Sequence, residues 1–282
     1  MAPPPTYSDL GKAAREVFSK GYHFNTWKLE AKTQTESGLK LKTTQNIDSN
    51  KGKLFGILES EYKVKDYGLK FVEKWTTDGV LSCENSVEDQ GIEGLKFTLN
   101  GSFNPSSGHM RGQMKADYKQ DYVNGNVEVD SAGGPIVRSS LVAAYEGYVF
   151  GYQNAFDANK GQLLSNNFTV GLLGEDFSLN AAVNDGQDFS GSVHHKVSKD
   201  LETGVTLGWS AGSNATTFNF GGRYWLSKDT NVRMKVNHQS QVGLSLQQSL
   251  KDGLSLTLSA LVDGRNISGG GHAVGLAVEY EN

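Results

Sequence analysis

The stretch YGLKFVEKWTT, Tyr67–Thr77, decides how this chain folds. In a β-strand successive side chains point to opposite faces. Read with that period, Tyr67, Leu69, Phe71, Glu73 and Trp75 share one face, while Gly68, Lys70, Val72, Lys74 and Thr76 share the other. One face is apolar and aromatic with a single acid set among the rings, and the other is cationic. What lies against the apolar face, a buried core or lipid, decides the function.

From Phe24 onward almost every segment repeats this alternation. Phe177, Leu179, Ala181 and Val183 oppose Ser178, Asn180, Ala182 and Asn184; Val205, Leu207 and Trp209 oppose Thr206, Gly208 and Ser210; Leu254, Leu256, Leu258 and Ala260 oppose Ser255, Thr257 and Ser259. These are half-buried strands. Asp66-Tyr67-Gly68, Asp78-Gly79, Asp185-Gly186, Asp252-Gly253 and Asp263-Gly264 mark turns between them. After residue 5 the only prolines are Pro105 and Pro135, as expected where few positions can give up a ladder donor. The triplet GLK recurs at Gly38, Gly68 and Gly94, spacings of 30 and 26 residues, the period of a hairpin meander. At about 13 to 14 residues per strand and turn, the chain beyond residue 25 holds about 19 strands. An open sheet of that size leaves long unpaired edges, and closure removes them.

The only convincing helix spans residues 6 to 20. Tyr7, Leu10, Ala14, Val17 and Phe18 fall on one face, Thr6 with Asp9 resembles a capping box, and Gly21 is placed as a stop. Its length of about 22 Å is too short to cross a bilayer. The preceding sequence lacks the apolar core of a secretory signal, and Asp9 and Glu16 count against a mitochondrial presequence. Across 282 residues no apolar run approaches the roughly 18 residues of a transmembrane helix, a test to which barrel strands are blind. The chain therefore divides into an N-terminal segment, 1–25, carrying the helix, and a β-domain, 26–282.

Charge and cysteine content narrow the function. The balance of 27 basic against 31 acidic residues, net −4, argues against a nucleic-acid partner but leaves room for local basic surfaces. The single cysteine, Cys83, excludes a disulfide framework and reads as an ordinary thiol. GWSAG, Gly208–Gly212, matches the G-x-S-x-G nucleophile pattern, but a nucleophile elbow must turn into a helix and here alternation leads to another strand. His194 and His195 point to opposite faces, and the other histidines lack ligand spacing. No enzyme, and no metal site, is expected.

Size then says which way the barrel faces. About 19 strands spaced about 4.8 Å and tilted about 40° give a diameter near 38 Å, too wide for side chains to fill. So the polar face lines the lumen and the apolar face meets lipid. The lumen series includes Lys28, Lys32, Lys40, Lys42, Lys70, Lys74, Lys96, Arg223, Arg233 and Lys235, joined by Lys12, Arg15 and Lys20 if the helix lies inside. A mostly basic wall is expected to favour anions. A soluble ligand-binding β-barrel is the competing reading.

The chain resembles the mitochondrial voltage-dependent anion channel, or eukaryotic porin, family along essentially its whole length. The residues that carry the resemblance are PPTYSDLGKAAREVFSKGY from Pro4, GLKFVEKW from Gly68, YEGYVFGYQNAFD from Tyr145, LETGVTLGW from Leu201 and LTLSALVDGRNISGGGH from Leu256. The resemblance implies an all-β, 19-stranded transmembrane β-barrel, the family's own odd number, with its first and last strands parallel and a short N-terminal amphipathic helix inside the pore. It implies a voltage-gated, weakly anion-selective pore of the mitochondrial outer membrane passing ATP, ADP, phosphate and metabolite anions; a related barrel for protein import is the alternative.

Site residues follow by resemblance. Lys12 and Lys20 match positions associated with nucleotide contact, and Arg15 lies one turn from Lys12. Reversible ATP or NADH binding is implied, with no resident cofactor; the NAD(H) contact maps onto Gln241, Val242, Gly243, Ser259, Ala260, Leu261, Val262 and Asp263, although Gln241 departs from the apolar residue usual there. Glu73, an acid facing hydrocarbon, is costly and so marks a functional position. In the family it is implicated in lipid contact, self-association and docking of hexokinase. Homo-oligomers and apoptosis-regulating proteins are the further partners that the resemblance implies.

Overall fold

The computed structural model describes residues 3–132, 134–251 and 253–282. A 3-10 turn, Tyr7–Asp9, precedes a helix α1, Lys12–Ser19, and nineteen strands follow. The first quarter of the barrel is β1 Thr26–Gln34, β2 Lys40–Asp48, β3 Leu54–Val64, β4 Leu69–Thr76 and β5 Leu81–Glu88. Then come β6 Leu95–Asn104, β7 His109–Lys119, β8 Val123–Asp130, β9 Ile136–Tyr145 and β10 Tyr148–Asp157. The far side is β11 Gln162–Leu173, β12 Phe177–Asn184, β13 Asp188–Lys196, β14 Leu201–Ser210 and β15 Ala215–Trp225. Closure is made by β16 Thr230–Asn237, β17 Gln241–Ser249, β18 Leu254–Asp263 and β19 Ala273–Glu281. Of the expected turn residues, Asp252 lies outside the described residues.

Every strand pairs antiparallel with its successor, and β1 pairs with β19 in parallel, Trp27 opposite Leu276 through Lys32 opposite Glu281. The parallel seam is forced by arithmetic. In a meander of odd strand number the first and last strands run the same way, so closing the sheet sets them side by side. No edge is left to pair with another chain.

The register fixes one face per strand around the whole ring. Glu73 sits opposite Ser60 and Cys83, and Lys74 opposite Glu59 and Ser82. On β4 the outward Trp75 is 60% exposed and Phe71 40%, whereas the inward Val72 is 4% exposed. The same inversion runs round the barrel, with Phe97, Leu141, Phe150, Phe168, Leu207 and Leu258 exposed and Thr98, Ser140, Thr169 and Thr257 buried. An apolar exterior over a polar interior is the pattern of a barrel in lipid. A soluble barrel would be turned the other way, and that reading is not favoured.

The N-terminal segment differs in detail from the expected continuous helix. It breaks at Leu10, which is extended, and Gly11, at φ +69°, a conformation that L side chains rarely adopt. The break lets the segment follow the curve of the wall: Leu10 packs against Val142 and Val149, while α1 lies along β13 to β16. Thr6 makes no capping bond to the backbone; its hydroxyl donates to the Asp9 carboxylate at 2.8 Å instead. After Ser19 the chain leaves the helix through an extended Lys20 and a left-handed Gly21.

Candidate functional site

Each strand's inward residues line the lumen, and the lysines assigned there by alternation all lie on the inward register. The wall is nevertheless not basic on balance, which corrects the sequence expectation. Neighbouring strands, and for Lys28 also its own, set carboxylates beside the cations: Lys28 reaches Glu279 of β19 at 2.6 Å and Glu30 of β1 at 2.9 Å, Lys70 reaches Glu61 at 3.0 Å, and Lys74 reaches Glu59 at 3.1 Å. Arg223 meets Glu202 at 2.7 Å and Arg138 meets Glu128 at 3.1 Å. A further cluster that the sequence reading missed pairs Arg111 with the buried Asp130. Its only sequence signal was inward parity on β7 and β8, which carries no partner information.

The unpaired cations are concentrated in one place. Among the described residues the inward Lys96, Lys119 and Lys196 stand singly without a carboxylate within ion-pair distance, while Arg15, Lys20, Arg233 and Lys235 form a group that has none. All four lie where the N-terminal segment meets β15 and β16. Lys12, on the first turn of α1, pairs with Asp9 at 2.9 Å. That bond holds the Asp9 carboxyl below its usual range, with the Thr6 hydroxyl helping, and raises the Lys12 ammonium. Arg15 is exposed and turns back along the segment, donating through Nη1 to the Leu10 carbonyl at 2.6 Å and through Nη2 to that of Ser8. Lys20 is exposed at the end of the helix.

Beyond the helix the segment is held by side chains of the closing strands. Arg233 Nη1 donates to the Lys20 carbonyl at 3.0 Å, Lys235 Nζ to that of Phe18 at 2.6 Å, and Ser245 Oγ to that of Gly21 at 2.6 Å. Ser259 Oγ accepts from the His23 amide at 3.0 Å. Tyr22 is pushed up to about 12 by burial, and burial followed by the nearby Lys28 charge lowers His23. At the other end Asn124 Nδ2 donates to the Pro4 carbonyl at 3.0 Å.

The structure splits the eight C-terminal positions assigned to nucleotide contact. On β17 and β18 Gln241 faces Asp263, Gly243 faces Leu261, and Ser259 faces Ser245, all inward. Val242, Ala260 and Val262 alternate to the lipid face, so their side chains take no part in a lumen contact. Ser259 is engaged with His23. What remains is a cavity of about 400 Å³ between α1 and the wall, where Arg15, Phe18 and Ser19 meet Asn219, Lys235, Gln241, Gly243 and Leu261. Arg15 and part of the C-terminal set thus come together, while the exposed Lys12 and Lys20 do not line the cavity.

Glu73 lies on the outer face between Phe71 and Trp75, beside Cys83, and borders a groove of about 390 Å³ with Leu81, Gly101, Phe103 and Met110. Ser210 ends β14 and is followed by a turn into β15, so no nucleophile elbow forms. His194 faces inward, 3.7 Å from Glu202, and His195 faces outward.

The family model described as eukaryotic porin matches residues 3–275. The chain is 49% identical to the voltage-dependent anion-selective channel of Drosophila melanogaster, with 99% of each chain covered. It is 46% identical to the non-selective voltage-gated ion channel VDAC2 of Xenopus laevis, over 99% of this chain and all of the relative, and 45% to that of Homo sapiens, over all of this chain and 96% of the relative. These relatives carry channel names and not enzyme names. With its closed nineteen-stranded barrel, inward-facing polar wall and lumenal N-terminal helix, the chain belongs to the eukaryotic porin family.

Proposed function

We propose that this chain is a voltage-gated, weakly anion-selective diffusion pore of the mitochondrial outer membrane, passing ATP, ADP, phosphate and small metabolite anions. The observation that carries the reading is the group of cations without a carboxylate partner, Arg15, Lys20, Arg233 and Lys235, gathered along the N-terminal segment in a lumen where most other cations are paired. Fixed positive charge along the N-terminal segment attracts anions without a tight site, so they leave as easily as they enter. Selectivity is weak because most wall lysines are neutralised by carboxylates in the next strand. The name of the Drosophila relative, which includes the words anion-selective, supports the sign.

Nucleotides are the natural larger cargo. Their phosphates suit Arg15 and Lys235 beside the cavity, and Gln241 and Asn219 offer amides to a base or ribose. Reversible ATP or NADH contact is proposed there, with Lys12 and Lys20 attracting phosphate from the exposed side of the helix. The location in the mitochondrial outer membrane, homo-oligomers, and contacts of Glu73 with lipid, hexokinase or apoptosis-regulating proteins rest on family resemblance.

Single-channel current in a planar bilayer under a salt gradient tests the reading. A reversal potential of anion-selective sign, with closure at both voltage polarities, is expected. A cation-selective open state, or folded protein without channels, overturns it.

A further inference from the structure

Glycine weakens a strand interior, so an inward glycine is informative when something approaches it closely. Five inward glycines each face a different part of the N-terminal segment. A Cβ at Gly151 would lie 2.9 Å from Leu10, at Gly204 3.2 Å from Val17, at Gly221 3.0 Å from Phe18, and at Gly243 2.9 Å from Phe24. A Cβ at Gly275 would collide with the His23 carbonyl oxygen. The register joins three of them into one row: Gly204 opposite Gly221, Gly221 opposite Lys235, and Lys235 opposite Gly243. Outward Gly101 and Gly191 have only open space above them. The contrast ties the inward row to what it touches.

The polar contacts in this region read main chain. Arg233, Lys235, Ser245 and Ser259 bind the backbone of Lys20, Phe18, Gly21 and His23. The carbonyls at the end of α1 lack helical partners and carry the negative end of its dipole, which suits the two cations. Val17 and Ala14 are 2% and 1% exposed, and Arg233 is 4% exposed, so the fit is closed on both sides.

We propose that the inner wall from β10 to β19 is a dedicated seat for the chain's own residues 7 to 24, made of a glycine trough and a latch that grips main chain, and that Arg233 and Lys235 are its positioning residues. By holding α1 in the seat they place Lys12, Arg15 and Lys20 in the lumen, and so set ion selectivity through the helix as well as through their own charge. Because the latch binds the carbonyls of Phe18, Lys20 and Gly21 and the His23 amide, it does not read the side chains of Phe18, Lys20 or His23; Gly21 alone is constrained, being left-handed with a Cβ there 2.9 Å from Arg233 Nε.

The test uses the full chain in a Cys83→Ser background with Val17→Cys as a buried reporter. Reaction of that thiol with a water-soluble maleimide is expected to speed up at least about tenfold when Arg233→Gln and Lys235→Gln are combined. Lys235→Arg is expected to retain the slow rate. Gly221→Leu removes no charge, so a faster reaction together with a reversal potential moved towards zero isolates positioning from charge; Ser245→Ala serves as the milder variant if Gly221→Leu does not fold. Gly191→Leu, facing outward, is expected to change neither. Unchanged thiol reaction in the latch, trough and Ser245 variants overturns the seat. The thiol rate needs no selectivity, so its outcome is distinguishable from failure of the anion-pore reading.

Discussion

Glu73 stands on the outer face of β4 with Ser60 and Cys83 as its cross-strand neighbours, and its flanking rings are exposed to the surroundings of the barrel. A carboxyl at that depth belongs to the lipid side and not to the conduction path. Glu73→Gln is therefore expected to leave open conductance unchanged within about 10%, while altering self-association or lipid contact, read by cross-linking in liposomes. Loss of half the conductance would mean that the side chain reaches the lumen. The face of this residue was legible in YGLKFVEKWTT, because parity along one strand needs no other part of the chain. The partners of Lys74 were not, since Glu59 reaches it only through the pairing of β3 with β4.

At the scale of the element, α1 and the turn before it show where local patterning stops. The amphipathic positions Leu10, Ala14 and Val17 are the buried ones, as the periodicity implies. The break at Gly11 was hidden, because it answers to a pocket between Val142 and Val149 more than 130 residues away in sequence. Leu10 is 3% exposed in that pocket. Truncating it to Ala is expected to weaken docking of residues 7 to 11 by about 2–4 kcal/mol. Amide hydrogen exchange there would rise at least about 30-fold, with the strands unaffected. Unchanged protection would show that the hydrogen bond from Asn124 to Pro4 and the latch beyond α1 suffice without the apolar contact.

For the whole molecule the critical joint is the parallel seam. Glu30, 8% exposed at its side chain, gathers Lys28 at 2.9 Å, Lys32 at 3.4 Å and Lys42 at 3.5 Å, and Lys28 also bonds Glu279 across the seam, 251 residues away. Glu30→Gln leaves three lysines facing one another with less anion between them. A loss of about 1–2 kcal/mol is expected, discounted from a fully buried network because the lumen side is wet. It would be read as a fall of a few degrees in the thermal unfolding midpoint in detergent, shrinking as salt is added. A fall insensitive to salt would mean that packing, not charge, holds the seam.

By itself the sequence determined the strands, the face each side chain takes and the existence of one short amphipathic helix, because these follow from periodicities of two and 3.6 residues within a single segment. With the strand number, it also determined that the apolar face points outward, since a ring of about 19 strands is too wide for side chains to fill. Only the tertiary structure decided which cations remain unpaired, which of the lumen-facing C-terminal positions lie beside Arg15, and how the N-terminal segment sits among the wall glycines. Each of these depends on register between strands far apart in the chain, and a shift of one residue would send every such side chain to the opposite face.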